Sequence, residues 1–220
     1  MANIVIFGAS GMIGQRAVRE ALSRGDTVTG VARDASRITD EHPNLTKVAG
    51  DAADEQLVAK LAAGADAVIV SIAPPRTAEA TLDDKRAALA KIFDSLLGAM
   101  RSLGAGAPRL IVVGGASSLM VGESRLLDQP DFPDVYKSEA TSHAEVLERL
   151  RGVSDVRWTY VSPAAEIGPG ERTGVFRLGG DDLLSDPDGK SFISAEDFSV
   201  ALIDEAERPQ HVGRRFTAAY

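Results

Sequence analysis

The amino-terminal stretch NIVIFGASGMIG constrains the fold more than any other part of the chain. Asn3–Phe7 is a continuous apolar run rich in β-branched residues, which is typical of a strand buried on both faces of a parallel sheet. Glycines follow at Gly8, Gly11 and Gly14, and apolar residues then recur at helical spacing as far as Arg24. A strand, a glycine turn and a helix in direct succession predict the first unit of a doubly wound α/β sheet.

The rest of the chain repeats this alternation. Further strands are predicted at 26–32, 45–49, 65–72, 109–113, 156–162 and 214–220, and further helices at 54–63, 81–103, 134–151 and 195–207. Pro74-Pro75 is expected to end one strand and begin a loop. Ser194 is predicted to be a helix N-cap, with Asp197 at the third helical position. The pattern predicts one α/β domain over 1–220, a doubly wound parallel sheet of Rossmann type, in which 163–220 forms a small C-terminal cap.

Composition restricts the function classes. The chain of 220 residues carries a formal net charge of −8, which argues against nucleic acid as a partner. It contains no cysteine, so thiolate catalysis and disulfides are excluded, and its histidines are too scattered to predict a metal site. No apolar run approaches the ~20 residues that a membrane span needs. We expect a cytoplasmic monomer or homodimer that acts on a small molecule.

The glycine turn predicts a dinucleotide phosphate site. Glycine permits unusual backbone angles and a close approach of phosphate to the main chain, and the following helix offers unpaired N–H groups at its N-terminus. A glycine-rich turn between a buried strand and a helix is the context that supports this interpretation. The residues predicted to form the phosphate cradle are Gly8, Ser10, Gly11, Met12, Ile13 and Gly14.

Charged residues after the second strand favour NADP(H) over NAD(H). An NAD site usually places an acid at the end of this strand to bind the ribose 2′-hydroxyl. Ala32 stands there instead, and Arg33 and Arg37 follow. Arginine forms charge-assisted bonds with a 2′-phosphate, which a carboxylate would repel. Two alternatives stay open: Asp34 turns inward, or Arg33 only stacks on the adenine.

Several motifs at the predicted strand ends carry a family resemblance. GASGMIG, VAGDAAD, DAVIVSIAPP, LIVVGGASSL and WTYVSPA occur in this order, and with the C-terminal segment they span nearly the whole chain. Together they resemble the atypical short-chain dehydrogenase/reductase superfamily in its NAD(P)H-binding, NmrA-like branch. Within that branch the chain is most similar to the NADH-flavin reductase and biliverdin reductase B-like group.

The resemblance implies a role for residues that follow the later strands. It places Asp51 and Ala52 at the adenine edge, and Ser117 beside the nicotinamide. It also implies a backbone segment under the nicotinamide ribose and a small-residue–proline pair at the carboxamide. These two groups are Ser71, Ile72 and Ala73, and Ser162 with Pro163.

The catalytic pair of the wider superfamily is incomplete. Its typical members use Tyr-x-x-x-Lys on the helix after the fifth strand, where Lys lowers the pKa of Tyr. Here Tyr136 is followed by Lys137, and Ala140 stands at the lysine position. Lys137 is expected to point about 100° away around the helix. Either Tyr136 begins the buried face of this helix, or Tyr136 and Lys137 border the nicotinamide pocket. The candidate catalytic residues are therefore Ser117, Tyr136 and Lys137.

The missing lysine favours an acceptor whose reduction needs no strong proton donor from the protein. Reducing a ketone needs a proton donor at the alkoxide, whereas hydride transfer to a flavin needs mainly aligned rings. We expect an enzyme that transfers hydride from NADPH to a flavin or another flat conjugated acceptor, with the flavin as a substrate. The alternative is a non-catalytic NADP(H)-binding redox sensor. An epimerase or dehydratase is less favoured because it needs the acid/base pair.

Overall fold

The computed structural model describes residues 1–74 and 79–220, so Pro75 of the predicted loop lies outside the described residues. The helices in these ranges are α1 (Met12–Ser23), α2 (Glu55–Ala62), α3 (Leu82–Leu103), α4 (Asp134–Arg151) and α5 (Ala195–Glu207). The strands are β1 (Asn3–Phe7), β2 (Thr27–Ala32), β3 (Leu45–Ala49), β4 (Ala67–Val70), β5 (Arg109–Val113), β6 (Met120–Val121), β7 (Ser124–Arg125), β8 (Trp158–Pro163), β9 (Glu166–Gly168), β10 (Arg177–Gly179), β11 (Phe192–Ser194) and β12 (Arg214–Ala219).

The central sheet has eight strands in the order β3-β2-β1-β4-β5-β8-β12-β10. Neighbouring strands are parallel from β3 through β12, and only β10 runs antiparallel, against β12. This confirms the predicted doubly wound α/β fold. The order of the strands reverses between β1 and β4, so the connections leave in opposite directions and a crevice opens at the carboxyl ends of these two strands.

The alternation of side chains along each strand divides the apolar core into two layers. Ile4 and Ile6 of β1 pack with α1 and α5 on one face of the sheet. Val5 and Phe7 pack with α2, α3 and α4 on the other face. Because successive strand residues point to opposite faces, a strand that is apolar at every position is covered by helices on both sides.

Most predicted elements are confirmed within two residues, and differences concentrate in two places. The sequence pattern predicts 65–72 as a strand, but β4 is shorter, because Ser71 and the residues after it leave the sheet. The short strands β6, β7, β9, β10 and β11 were not predicted, since two or three residues are too few for a period of two to register. No helix of the described residues is both long and apolar enough to cross a lipid bilayer.

Candidate functional site

The turn between β1 and α1 lies at the crevice, and its glycines are required by close backbone contacts. Gly8 has φ +80°, in the left-handed region, and a Cβ there would lie 2.1 Å from the carbonyl oxygen of Ser71. A Cβ on Gly14 would lie 2.0 Å from the carbonyl oxygen of Gly8. Neither position has room for a side chain, so the loops after β1 and β4 meet backbone to backbone. The resulting surface lets a phosphate approach the main chain closely.

The N-terminus of α1 is free to bind an anion. Its N-cap is Gly11, which offers no side-chain hydrogen bond, and the first turn contains no acidic residue. By contrast, α2, α3 and α5 are capped by the side chains of Asp54, Thr81 and Ser194. Gly11 and Met12 are exposed, Ser10 is half-buried and Ile13 is buried in the core. The exposed N–H groups and the positive end of the helix dipole therefore suit a dinucleotide pyrophosphate.

The charge at the end of β2 is positive. Arg33 and Arg37 are exposed, and neither forms an ion pair with a residue in 1–74 or 79–220. Asp34 is also exposed, and its Oδ1 accepts hydrogen bonds from the backbone N and the Oγ of Ser36, at 3.0 and 2.6 Å. These bonds hold the pKa of Asp34 below its usual range. Asp34 therefore faces solvent and caps a short 3-10 turn, contrary to the alternative in which it turns inward.

The residues predicted at the adenine and ribose lie at the carboxyl ends of β3 and β4. Asp51 is exposed, and its Oδ1 accepts a hydrogen bond from the backbone N of Ala53 at 2.9 Å, while Ala52 is buried. Ser71 and Ile72 are half-buried and Ala73 is exposed. Ser71 N donates to the carbonyl of Phe7 at 2.9 Å, which ties this segment to the glycine turn. The fold thus brings both groups to the same edge of the sheet as the turn.

Ser117 lies in the loop between β5 and α4, with its hydroxyl against the helix. Its side chain is buried, and its Oγ donates to the carbonyl oxygen of Ala140 at 3.1 Å. Ala140 is the residue that stands where the wider superfamily has lysine. The predicted nicotinamide-side serine therefore lies beside the position from which the usual catalytic cation is missing.

Tyr136 and Lys137 differ in their surroundings. Tyr136 lies one helical turn before Ala140 on the same side of α4, yet it is 60% exposed. The interpretation that it begins the buried face is therefore wrong, because the apolar core covers α4 only from Ala140 onward. Lys137 is 51% exposed and pairs with Asp134, its Nζ lying 2.6 Å from Oδ1.

Ser162 and Pro163 lie at the carboxyl end of β8 and are both buried. Ser162 is 0% exposed, and its Oγ has no hydrogen-bond partner in the described part of the chain. A buried hydroxyl without a partner costs about 1–3 kcal/mol. Its predicted contact with the carboxamide remains a prediction, because that contact requires this hydroxyl to become accessible.

The sequence interpretation missed Tyr160, which holds the start of the β5–α4 loop. Tyr160 is 0% exposed, and its hydroxyl donates to the carbonyl of His143 at 3.0 Å and accepts from Gly115 N at 3.3 Å. A Cβ on Gly114 would overlap the Tyr160 ring at 2.0 Å. Burial raises the pKa of Tyr160 to about 12, so the phenol remains a donor. The strand pattern predicted its burial but gave no signal for these partners.

Arg215 was missed as well, although the sequence carries a signal for it. It is a charged residue inside an apolar strand, and a buried charge must be paired. Its side chain is 2% exposed and lies against Asp181 and Ser118.

In the described ranges, no three acidic or histidine side chains converge as metal ligands would.

The geometry agrees with the comparison to known families. A profile described as NAD(P)H-binding matches residues 8–209, which includes the glycine turn and reaches beyond α5. The chain belongs to this NAD(P)H-binding family. The glycine turn and the N-terminus of α1 fit the dinucleotide that the family description implies.

Individual relatives span the full length of the chain. A Bacillus subtilis (strain 168) protein named "Uncharacterized protein YwnB" is 35% identical over 219 residues, covering 97% of this chain and 96% of its own. A Bacteroides thetaiotaomicron crystal structure named "putative epimerase" has TM-score 0.88 and 36% identity, covering 100% of this chain and 97% of its own. A Streptococcus pneumoniae structure named "putative NADH-flavin reductase" has TM-score 0.82 and 32% identity, covering 100% and 99%.

Proposed function

We propose that this protein is an NADPH-dependent reductase that passes hydride to a flavin or a similar flat conjugated acceptor. The observation that carries the proposal is the combination found at the carboxyl ends of the strands: a glycine turn followed by the exposed Arg33 and Arg37, and the hydroxyls of Ser117 and Tyr136 without the superfamily's lysine. The cradle and the arginines support NADPH as the hydride donor. The buried Ala140 argues for an acceptor that does not depend on a strong acid.

The chemistry assigned to the chain is mainly alignment. When bound, reduced nicotinamide supplies a hydride, and the acceptor gains that hydride together with one proton. Ser117 lies in the β5–α4 loop against α4, and Tyr136 lies in the first turn of that helix, where a hydroxyl can hold or pass on the proton. Solvent can do the same at the exposed Tyr136. The carboxyl ends of the strands would hold the donor and acceptor rings side by side, and such alignment can contribute a large part of a rate enhancement.

The names of the relatives do not decide between a reductase and an epimerase. The S. pneumoniae neighbour carries a flavin reductase name at 32% identity, and the B. thetaiotaomicron neighbour carries an epimerase name at 36% identity. The two names disagree, so residue chemistry decides between them. Sugar epimerases of this fold class rely on a tyrosine activated by a nearby cation. Lys137 is occupied by Asp134, and Ala140 cannot replace it.

The direct test measures consumption of NADPH with FMN, FAD, riboflavin and a quinone offered separately. We expect turnover of at least one acceptor, with NADPH preferred over NADH. Tight binding of NADPH without oxidation by any acceptor would contradict the reductase and support a redox sensor. Turnover of a nucleotide sugar without net NADPH consumption would support an epimerase instead.

Single variants test the assigned residues. We expect S117A and Y136F to lower kcat by about tenfold each, because each removes one hydroxyl that can hold the proton. K137A should change kcat by less than threefold, because the ammonium group is exposed and paired with Asp134. Unchanged kcat in both hydroxyl variants would show that solvent alone supplies the proton.

A further inference from the structure

The loop that carries Ser117 is hydrogen-bonded to Arg215 of the last strand, β12. The guanidinium is almost completely buried, with 2% of the side chain exposed. Its Nη1 donates to Ser118 Oγ at 2.9 Å, and its Nε donates to Asp181 Oδ1 at 2.8 Å. A buried cation is tolerated only when it is paired and its N–H groups are bonded. The position of Ser118 is therefore coupled to this charge.

Asp181 connects the same cation to the far side of the loop. Its backbone oxygen accepts from Met120 N at 2.8 Å and from Arg215 Nη2 at 3.2 Å. Met120 in turn accepts a bond from Leu183 N at 2.9 Å. At the surface, Arg151 of α4 also reaches Asp181, with Nη2 2.8 Å from Oδ1. Arg215 is thus bonded directly to Ser118, and it is connected to Met120 through the backbone oxygen of Asp181.

Tyr160 holds the other side of Ser117. It is the register partner of Arg215 on the neighbouring strand, and its hydroxyl accepts from Gly115 N. The loop is therefore fixed at Gly115 by β8 and at Ser118 by β12. Ser117 lies between these two points, with its hydroxyl directed at the carbonyl of Ala140.

We propose that Arg215 is a positioning residue, which acts through Ser118 to hold the Ser117 hydroxyl at the edge of the cofactor crevice. This inference rests on the proposed reductase function. Within the described residues, Arg215 bonds to Ser118 of the β5–α4 loop and to Asp181, which lies between β10 and β11, and it forms no hydrogen bond with the phosphate cradle. Its loss should lower kcat and leave NADPH affinity unchanged.

The experiment compares R215M, S118A and the double variant with R109M as a matched control. Arg109 is also partly buried, but it is the first residue of β5, and it donates to the backbone oxygens of Glu205 and Ala206 at the amino-terminal end of that strand. We expect R215M to lower kcat with NADPH and the best acceptor at least tenfold, with the Kd for NADPH within twofold. The kcat of the double variant should match that of R215M within twofold, because both substitutions remove the same hydrogen bond between Arg215 and Ser118.

R109M should lose stability while kcat stays within twofold of the wild type. S118A keeps the Arg215–Asp181 ion pair, so it tests the same connection if R215M folds poorly. Amide hydrogen exchange in the peptide 114–120 adds a readout that needs no turnover, and we expect it to speed up at least tenfold in R215M and in S118A but not in R109M. Exchange in R215M equal to that in R109M overturns the positioning role. A loosened loop with unchanged kcat overturns it too, whereas a wild type that reduces no acceptor contradicts the proposed function instead.

Discussion

The side chains at the end of β2 set the charge that a bound dinucleotide meets. Arg33 and Arg37 are exposed and form no ion pair within the described ranges, so their guanidinium groups need no rearrangement to bind a phosphate. Asp34 is engaged by Ser36 and stays at the surface. Exposed arginines beside a carboxylate that is engaged by Ser36 are the reason why we expect the 2′-phosphate to be favoured over the bare 2′-hydroxyl.

The first prediction concerns this selectivity. R33A should raise the Kd for NADPH about tenfold or more, because a charge-assisted hydrogen bond contributes about 1.5–3 kcal/mol. The Kd for NADH should change by less than twofold. R208A is the matched control, since Arg208 is 71% exposed and lies at the end of α5, away from the cradle. Fluorescence titration with each dinucleotide measures both constants, and equal losses for NADPH and NADH would contradict the assignment of Arg33.

A second prediction concerns the glycine that lies deepest in the turn. G14A places a methyl group 2.0 Å from the Gly8 oxygen, and the backbone on both sides must move. We expect a loss of about 2 kcal/mol or more in the free energy of unfolding, together with loss of dinucleotide binding. G106A is the control, because a Cβ there meets nothing within 4 Å. Urea denaturation compares the two, and similar stability would show that the turn relaxes at little cost.

At the scale of elements, helix ends decide where function is placed. α1 leaves its N-terminus open, whereas α3 begins with a full capping box of Thr81 and Asp84. Ser194 at the start of α5 does more than cap, since its Oγ accepts from Asp197 N at 3.0 Å and donates to the carbonyl of Glu171 at 2.7 Å. Two helices of the described ranges, α1 and α4, begin without a side-chain cap, and α4 carries Asp134 in its first turn, so α1 is the one whose N-terminus suits an anionic ligand.

The third prediction separates these two kinds of cap. T81A removes an exposed cap and should cost about 1 kcal/mol of unfolding free energy. S194A removes a buried cap and leaves the Glu171 carbonyl without its donor, so it should cost about 2 kcal/mol. Urea denaturation of both variants provides the measurement. A smaller loss in S194A than in T81A would show that the bond to Glu171 contributes little.

At the scale of the whole molecule, a cluster of charges around the buried Glu20 joins α1 to the C-terminal region. Glu20 of α1 is 5% exposed; its Oε1 accepts from Arg24 Nε at 2.8 Å and its Oε2 from Arg172 Nε at 2.6 Å. Arg24 continues the cluster to Asp204 and Glu207 of α5, at 2.8 and 2.7 Å. Hydrogen bonding to Arg172 and Arg24 outweighs burial and lowers the pKa of Glu20.

This cluster makes stability depend on pH, which is the fourth prediction. The folded state binds the Glu20 proton more weakly than the unfolded state, whose pKa is 4.5. The stabilisation is therefore complete above that value and is lost as the pH falls through the lower folded-state pKa. E20Q should cost about 2 kcal/mol at pH 7, with the difference from wild type shrinking below pH 4.5.

The control for that experiment is E148Q, which breaks an exposed pair between Glu148 and Arg151. An exposed ion pair contributes about 0–1 kcal/mol, so E148Q should follow the wild-type melting curve at every pH. Thermal unfolding between pH 3 and pH 7 measures all three proteins. A constant difference between E20Q and wild type across this range would show that Glu20 titrates normally.

The sequence predicted the elements whose pattern is long and local. Both bounds of β1, β3, β5 and α4 match the predicted ranges, and α5 begins after its predicted cap at Ser194. The glycine turn and the arginines after β2 were also predicted, because turn chemistry and the charge at a strand end depend on neighbouring residues in the chain. The short strands of the C-terminal region were not, since two or three residues are too few for a strand pattern to register.

The sequence by itself determined the alternation of strands and helices, the glycine turn and the positive charge after β2. Each of these follows from residues within a few positions of one another. Only the tertiary structure decided that Tyr136 is exposed, that Tyr160 bonds to Gly115 and that Arg215 supports Ser118. These facts depend on which elements the fold packs together, and burial and pairing across 45 or 97 positions leave no local period in the sequence.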